Sequence, residues 1–393
     1  MDAKTYLQYW AARYKDDLTG NILPFWLNNG LDRRHGGIYT CLDRDGKLMD
    51  GTKSVWFQGR AAFTYAYAYN NVEARPEYLE AAKSCIDFSD KHCYNADGRM
   101  YFEVAADGTP LRLRRYVFSE TFAIIALVEY SIATGDKAYA DRALELFKKV
   151  RTWITTPGAL PAKYEATVKG RSHSIVMIML NVAARLRQVS SDPIIESQIT
   201  DSIAQLRDYF MKPEVEALLE TVGENGELID TIGGRTINPG HCIETAWFLL
   251  DEATHRADKS LQEMALTILD WSWKWGWDEQ HGGIINFRDC KGYPSQDYAQ
   301  DMKFWWPQTE AIIATLYAYK VTGNEKYLHM HRDISDWTYA RFPDTRHGEW
   351  YGYLHRDGSV AQPAKGNIFK GPFHIPRMMT KGYMLCREIL ATL

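Results

Sequence analysis

Asp32-Arg33-Arg34-His35-Gly36-Gly37-Ile38-Tyr39-Thr40, closing on Gly46, is the stretch whose reading decides the fold, because the chain repeats it. It returns as Asp278-Glu279-Gln280-His281-Gly282-Gly283-Ile284-Ile285-Asn286-Phe287, closing on Gly292, and as Asp344-Thr345-Arg346-His347-Gly348 with Trp350-Tyr351-Gly352-Tyr353, closing on Gly358. Each copy is a turn, a short run of strand-favouring residues and a second turn, the pattern of a β-hairpin. Worn copies stand at Asn95-Ala96-Asp97-Gly98 with Asp107-Gly108, at Pro157-Gly158 and at Glu224-Asn225-Gly226-Glu227. Successive positions are roughly one helix pair apart.

Between the hairpins the chain reads as helix. Ser119 to Thr134 and Ser174 to Leu186 are apolar on nearly every face, as inner helices are. Lys137 to Trp153 alternates apolar and charged positions with a helical period and belongs outside. A second kind of turn falls out of phase with the hairpins: Ala133-Thr134-Gly135-Asp136 matches Val321-Thr322-Gly323-Asn324, with Arg75-Pro76-Glu77-Tyr78 a relative. Two alternating loop types predict six helical hairpins closed into a ring. The fold class is therefore all-α, an (α/α)6 barrel forming one domain over residues 1–393, with short β-hairpin loops on one face. A site is expected on that face.

The 393 residues carry a net charge of −4, which offers no field for nucleic acid or an acidic membrane surface. No window is apolar enough to span a membrane, and Met1-Asp2-Ala3-Lys4-Thr5 lacks the apolar core of a signal peptide. The six cysteines form neither a C-x-x-C pair nor a metal-ligand spacing. A cytoplasmic protein with reduced thiols and no metal is expected. Aromatic residues reach 13%, including 13 Trp and 24 Tyr, which suits a sugar-binding cleft as well as a large helical core.

His35, His281 and His347 belong to the repeat and read as structural, bonding a turn backbone. His92, His255, His329, His331 and His355 lie in charged surroundings and read as surface residues. His241, in Asn238-Pro239-Gly240-His241, opens an inner helix, and His374, in Gly371-Pro372-Phe373-His374-Ile375-Pro376-Arg377, stands just ahead of the last one. The positive end of a helix dipole disfavours imidazolium, so both are expected to be neutral near pH 7, as a base must be. Arg60, Glu310 and Arg377 fall on inner helices, where they need partners. Such residues suit a polar cavity lined with Trp and built for a neutral polyol, or a buried ion-pair network. There is no G-x-x-x-x-G-K-[ST] loop, no strand-led G-x-G-x-x-G and no H-E-x-x-H.

P-G-H-x-x-E-x-x-W at 239–247, W-x-Q-x-E at 306–310, G-P-F-H-I-P-R at 371–377, Q-G-R at 58–60 and the hairpin at 32–46 together resemble the N-acylglucosamine 2-epimerase family. The resemblance covers nearly the whole chain and implies an (α/α)6 barrel that epimerises N-acetylglucosamine and N-acetylmannosamine at carbon 2. It makes His241 and His374 the two acid/base residues. Arg60, His173, Glu310 and Arg377 become polar residues of the site, and Trp306, Gln308 and Glu244 are counted with the substrate-binding set. It further implies no required cofactor, ATP as an activator rather than a reactant, and a homodimer. The competing readings are an aldose–ketose isomerase or 2-epimerase of an unsubstituted sugar such as mannose or cellobiose, a glycoside hydrolase using Glu244 and Glu310, and a non-catalytic, renin-binding-type role.

Overall fold

The computed structural model describes residues 2–113, 116–160 and 169–393. Helix boundaries fall where the punctuation asks for them. Gly135 (φ +72°) and Gly323 (φ +65°) end their helices in the left-handed conformation, and the following Asp136 and Asn324 accept from the N–H groups of Ala138 and Lys326 to cap the next ones.

Thirteen α-helices result among the described residues: α1 Ala3–Asp17, α2 Leu23–Asn29, α3 Val55–Asn71, α4 Pro76–His92, α5 Phe118–Thr134, α6 Lys137–Thr155, α7 His173–Leu186, α8 Pro193–Gln205, α9 Pro239–Arg256, α10 Lys259–Gly276, α11 Trp305–Thr322, α12 Glu325–Tyr339 and α13 His374–Leu390. The odd-numbered helices from α3 to α13 form an inner ring. It closes where α13 packs against both α11 and α3, while α1 covers α13 from outside. Helix α5 is buried from Ser119 to Ser131 and α11 from Pro307 to Tyr319, whereas α6 buries one stripe and exposes the rest. This is the toroid expected from the repeats.

The hairpins form, and their chemistry differs from expectation. The bridges Leu31–Ile38, Trp277–Ile284 and Pro343–Trp350 close the three good copies. The turns are bonded by the repeated aspartate, not by the histidine: Asp32 Oδ1 accepts from the N–H groups of Arg34 (2.8 Å) and His35 (3.1 Å), Asp278 Oδ1 from Gln280 (3.1 Å) and Asp344 Oδ1 from Arg346 (3.0 Å). The other oxygen of each receives a fully buried ammonium: Lys53 at 2.7 Å, Lys303 at 2.9 Å and Lys365 at 2.9 Å. Inner-helix side chains then clamp the strands. Gln58 accepts from the Ile38 N–H and donates to its carbonyl, Gln308 does the same to Ile284, and Glu120 accepts from Met100. Of the worn copies, Asn225-Gly226 makes its turn. Pro157-Gly158 turns too, but the segment that follows it at 161–168 lies outside the described residues; the strand Gly170–Ser172 pairs instead with Thr221–Gly223.

His331 corrects the surface reading of the outer-helix histidines. His329 is exposed, but His331 is fully buried between the hydroxyls of Tyr6 (2.8 Å) and Tyr14 (3.0 Å), and burial lowers its pKa to about 3. Residues two apart on a helix point in different directions, so one faced solvent and the other α1.

Burial alone would raise the Asp32 pKa, but Lys53 and the turn amides bring it down to about 2. Its ionised form therefore stabilises the fold above the ordinary carboxylate range, and that contribution is lost as pH falls towards 2. Lys53→Met would leave a buried carboxylate unpaired, costing about 3–5 kcal/mol. Urea midpoints at neutral pH should drop accordingly, and the gap from wild type should narrow near pH 2.

Candidate active site

The hairpins and inner-helix N-termini share one face of the ring, and a cavity of about 450 Å³ opens there. Arg60, His241, Glu244, Trp306, His374 and Arg377 line it. Asn238 caps α9 by accepting from the His241 N–H (3.2 Å), which puts that imidazole in the first turn. Gly240 beside it has a steric reason: a Cβ there would meet the Trp306 ring at 2.4 Å. The indole therefore lies directly over the start of α9. Trp306 packs against both histidines, its ring centroid 5.2 Å from that of His241 and 5.8 Å from that of His374.

Each imidazole is held through Nδ1 by a carboxylate. His374 Nδ1 lies 2.8 Å from Glu310 Oε1, and His241 Nδ1 lies 3.0 Å from Glu220 Oε2. A carboxylate oxygen accepts, so Nδ1 carries the proton in both rings. The 3.3 Å approach of Arg377 Nη2 to His374 Nδ1 is then donor against donor and not a bond. This tautomer leaves each Nε2 for a substrate.

The two rings part in acidity. Burial, then Arg377 and Arg60, push the His374 pKa well below its ordinary value. Burial also opposes charge on His241, but Glu220, with Glu244 and Glu310 beyond it, outweighs burial and raises that pKa. The expectation that helix position keeps both neutral thus fits His374 and fails for His241, because an ion pair at 3.0 Å outweighs a fractional dipole charge. Glu220 is the residue that sequence reasoning missed. Its one signal is a lone carboxylate in the apolar run Ala217-Leu218-Leu219. The pairing of 170–172 with 221–223 delivers it, with the His173 N–H donating to the Glu220 carbonyl at 3.0 Å.

Glu310 and Arg377 sit behind the histidines. Glu310 is fully buried and accepts from His374, from Arg377 Nη2 (2.7 Å) and from Trp247 Nε1 (2.8 Å). The same guanidinium nitrogen lies 2.5 Å from Glu244 Oε1. Glu244, Glu310 and His374 are the one grouping among the described residues with metal-ligand character, and Arg377 already supplies the cation between its two carboxylates. Arg60 has no carboxylate within ion-pair distance; its guanidinium lies 4.1 Å from the Phe122 ring and 4.6 Å from that of Phe373, and burial lowers its pKa to about 9. It is a cation facing the cavity with its charge unspent.

Two expected substrate contacts do not reach the cavity. Gln308 is fully buried, and both ends of its amide are occupied by Ile284 and the Phe304 carbonyl, so its role is structural. His173 is also fully buried; its Nε2 pairs with Thr245 Oγ1 (2.8 Å), and its Nδ1 stands 3.7 Å from Glu220. It backs His241 rather than facing a ligand.

Residues 37–370 match the profile of the N-acylglucosamine 2-epimerase (GlcNAc 2-epimerase) family. The N-acylglucosamine 2-epimerase of Bos taurus is 35% identical over 395 residues, covering 98% of this chain and 92% of its own. The cellobiose 2-epimerase of Bacteroides fragilis is 24% identical over 385 residues, covering 92% and 95%. The structure of cellobiose 2-epimerase from Bacillus thermoamylovorans superposes with a TM-score of 0.86 at 22% identity, covering 96% of this chain and 99% of that one. The chain belongs to the N-acylglucosamine 2-epimerase family.

Glu220→Gln removes the charge that holds the His241 proton while keeping an acceptor beside Nδ1. Histidine NMR titration should show the His241 transition moving to lower pH, with His374 still neutral throughout the neutral range.

Proposed function

We propose that the protein interconverts N-acetylglucosamine and N-acetylmannosamine by inverting carbon 2. The observation that carries this reading is the pair of carboxylate-bound imidazoles on one tryptophan, one pushed towards the neutral form and the other towards the charged form. Paired groups with their acidities driven apart are what a base and an acid acting together require.

A C2 hydrogen is acidic only beside a carbonyl, so the pyranose first opens to the aldehyde. His374, neutral at rest, takes the C2 proton on Nε2. The C–H electron pair becomes the C1=C2 bond, and the C1 oxygen becomes the enolate. His241, protonated at rest, returns a proton to the opposite face of C2, and the C1 carbonyl re-forms. The other epimer uses the same pair with the roles exchanged. Arg60, the cavity cation without a carboxylate, faces the enolate oxygen, where negative charge develops. Glu310 and Glu244 keep Arg377 and His374 in register.

An acylamino group at C2 leaves no hydroxyl there, so the enolate cannot collapse to a ketose, and epimerisation replaces isomerisation. The glycosidase reading loses its support: Glu244 and Glu310 share one guanidinium, and neither is free to act as a separate acid or nucleophile. The identity to the N-acyl enzyme of Bos taurus, 35% against 24% for the cellobiose enzyme of Bacteroides fragilis, favours the N-acyl substrate. A cytosolic location and a homodimer belong to the same proposal, the first supported by six free thiols. ATP activation, also implied by family resemblance, is tested by adding the nucleotide to the assay.

Replacing His241 or His374 with Ala should cut the conversion of N-acetylmannosamine to N-acetylglucosamine by about 10²–10⁴-fold. NMR of the anomeric signals measures this directly. Near-normal turnover in either variant would sink the assignment.

A further inference from the structure

The cavity wall is divided. Helices α9, α11 and α13 bring every imidazole and carboxylate that lines it, whereas α5 and α7 bring Phe122, Ile125, Met177 and Ile178, interrupted by Ser174 and Asn181. The four apolar side chains are nearly closed to solvent, with 3%, 2%, 5% and 8% of their surface exposed, yet they border the cavity. No catalytic step uses this sector. A bare hexose is hydroxylated all round and would leave such a wall against its hydroxyl groups, at the cost of their hydration.

From this division we infer that the α5/α7 sector is the seat of the substituent on the C2 nitrogen, and that it takes N-acyl groups longer than acetyl. The inference rests on the epimerase reading and adds a specificity-determining surface to it. Two of the substituents of C2 lie along the chain of the opened sugar, and the exchanged hydrogen lies between the imidazoles. The nitrogen is left to point away from α9 and α13, towards α5 and α7. An amide needs polar partners for its carbonyl and N–H and an apolar surface for its alkyl end; Ser174 and Asn181 supply the first and the four apolar residues the second. Met177 is the adjustable element, because an unbranched thioether changes shape at small cost.

The test uses the full-length protein and N-acetyl-, N-propanoyl- and N-butanoylmannosamine, with kcat/KM for each. Because one methylene in an apolar pocket is worth about 10-fold or more, the wild type should process the propanoyl sugar with kcat/KM no lower than about a tenth of the acetyl value. Met177→Ala should raise the butanoyl-to-acetyl ratio about tenfold, and Met177→Phe should lower it by a similar factor. A ratio that moves in neither variant, with acetyl turnover still measurable, would overturn the acyl seat and leave the epimerase reading standing. Failure of the wild type to epimerise all three sugars would overturn both.

Discussion

The site depends on one buried carboxylate. Glu310 is fully excluded from solvent and holds three donors from two neighbouring helices: Trp247 of α9, and His374 and Arg377 of α13. An unpaired carboxylate in that position would be prohibitively unstable, so the three inner helices are obliged to meet with these side chains in this order. That single constraint sets the tautomer of His374, and with Glu244 it neutralises Arg377. The guanidinium so placed, together with Arg60, keeps the nearby imidazole uncharged. Structural closure of the ring and the acidity of a catalytic group are therefore consequences of the same ion cluster.

The far end of the ring is sealed by the same principle. Glu129 of α5 pairs with Arg185 of α7 and takes a hydrogen bond from Asn70 of α3; Asp251 of α9 pairs with Lys381 of α13 and with the hydroxyl of Tyr317 of α11. Every inner helix contributes to this belt. A ring of apolar helices has no strong preference for which neighbour stands where, and two polar layers, one at each end, supply that register. The layer on the hairpin face differs in leaving Nε2 of two imidazoles and one guanidinium without protein partners, which is the difference between a seal and a site.

The architecture was legible because it is written in local signals. Turn glycines, N-caps and apolar periodicity recur in Asp32–Gly46, Asp278–Gly292 and Ala133–Asp136, and each acts within a few residues. His241 and His374 were legible for the same reason, standing at marked helix starts. What escaped depends on contacts distant in sequence. Glu220 reaches His241 only because two strands some fifty residues apart pair, and nothing around Glu220 announces it. Gln308 sits in a motif with Trp306 and Glu310, yet one turn of helix sends its amide to a hairpin instead of the cavity. The repeated histidine drew the eye because it is the rarer letter, while the work of the turn falls to the aspartate and a buried lysine.

The central claim is that two different histidines serve the two faces of carbon 2. It is tested most directly by the hydrogen that arrives there in the first turnover. N-acetylmannosamine carrying protium at C2 is converted in heavy water and quenched at low conversion, and both sugars are analysed at C2. Two-sided transfer predicts N-acetylglucosamine fully deuterated at C2 and unreacted N-acetylmannosamine still protiated. Product that retains the hydrogen of its own substrate would mean a single group carrying it from one face to the other, and would contradict the account.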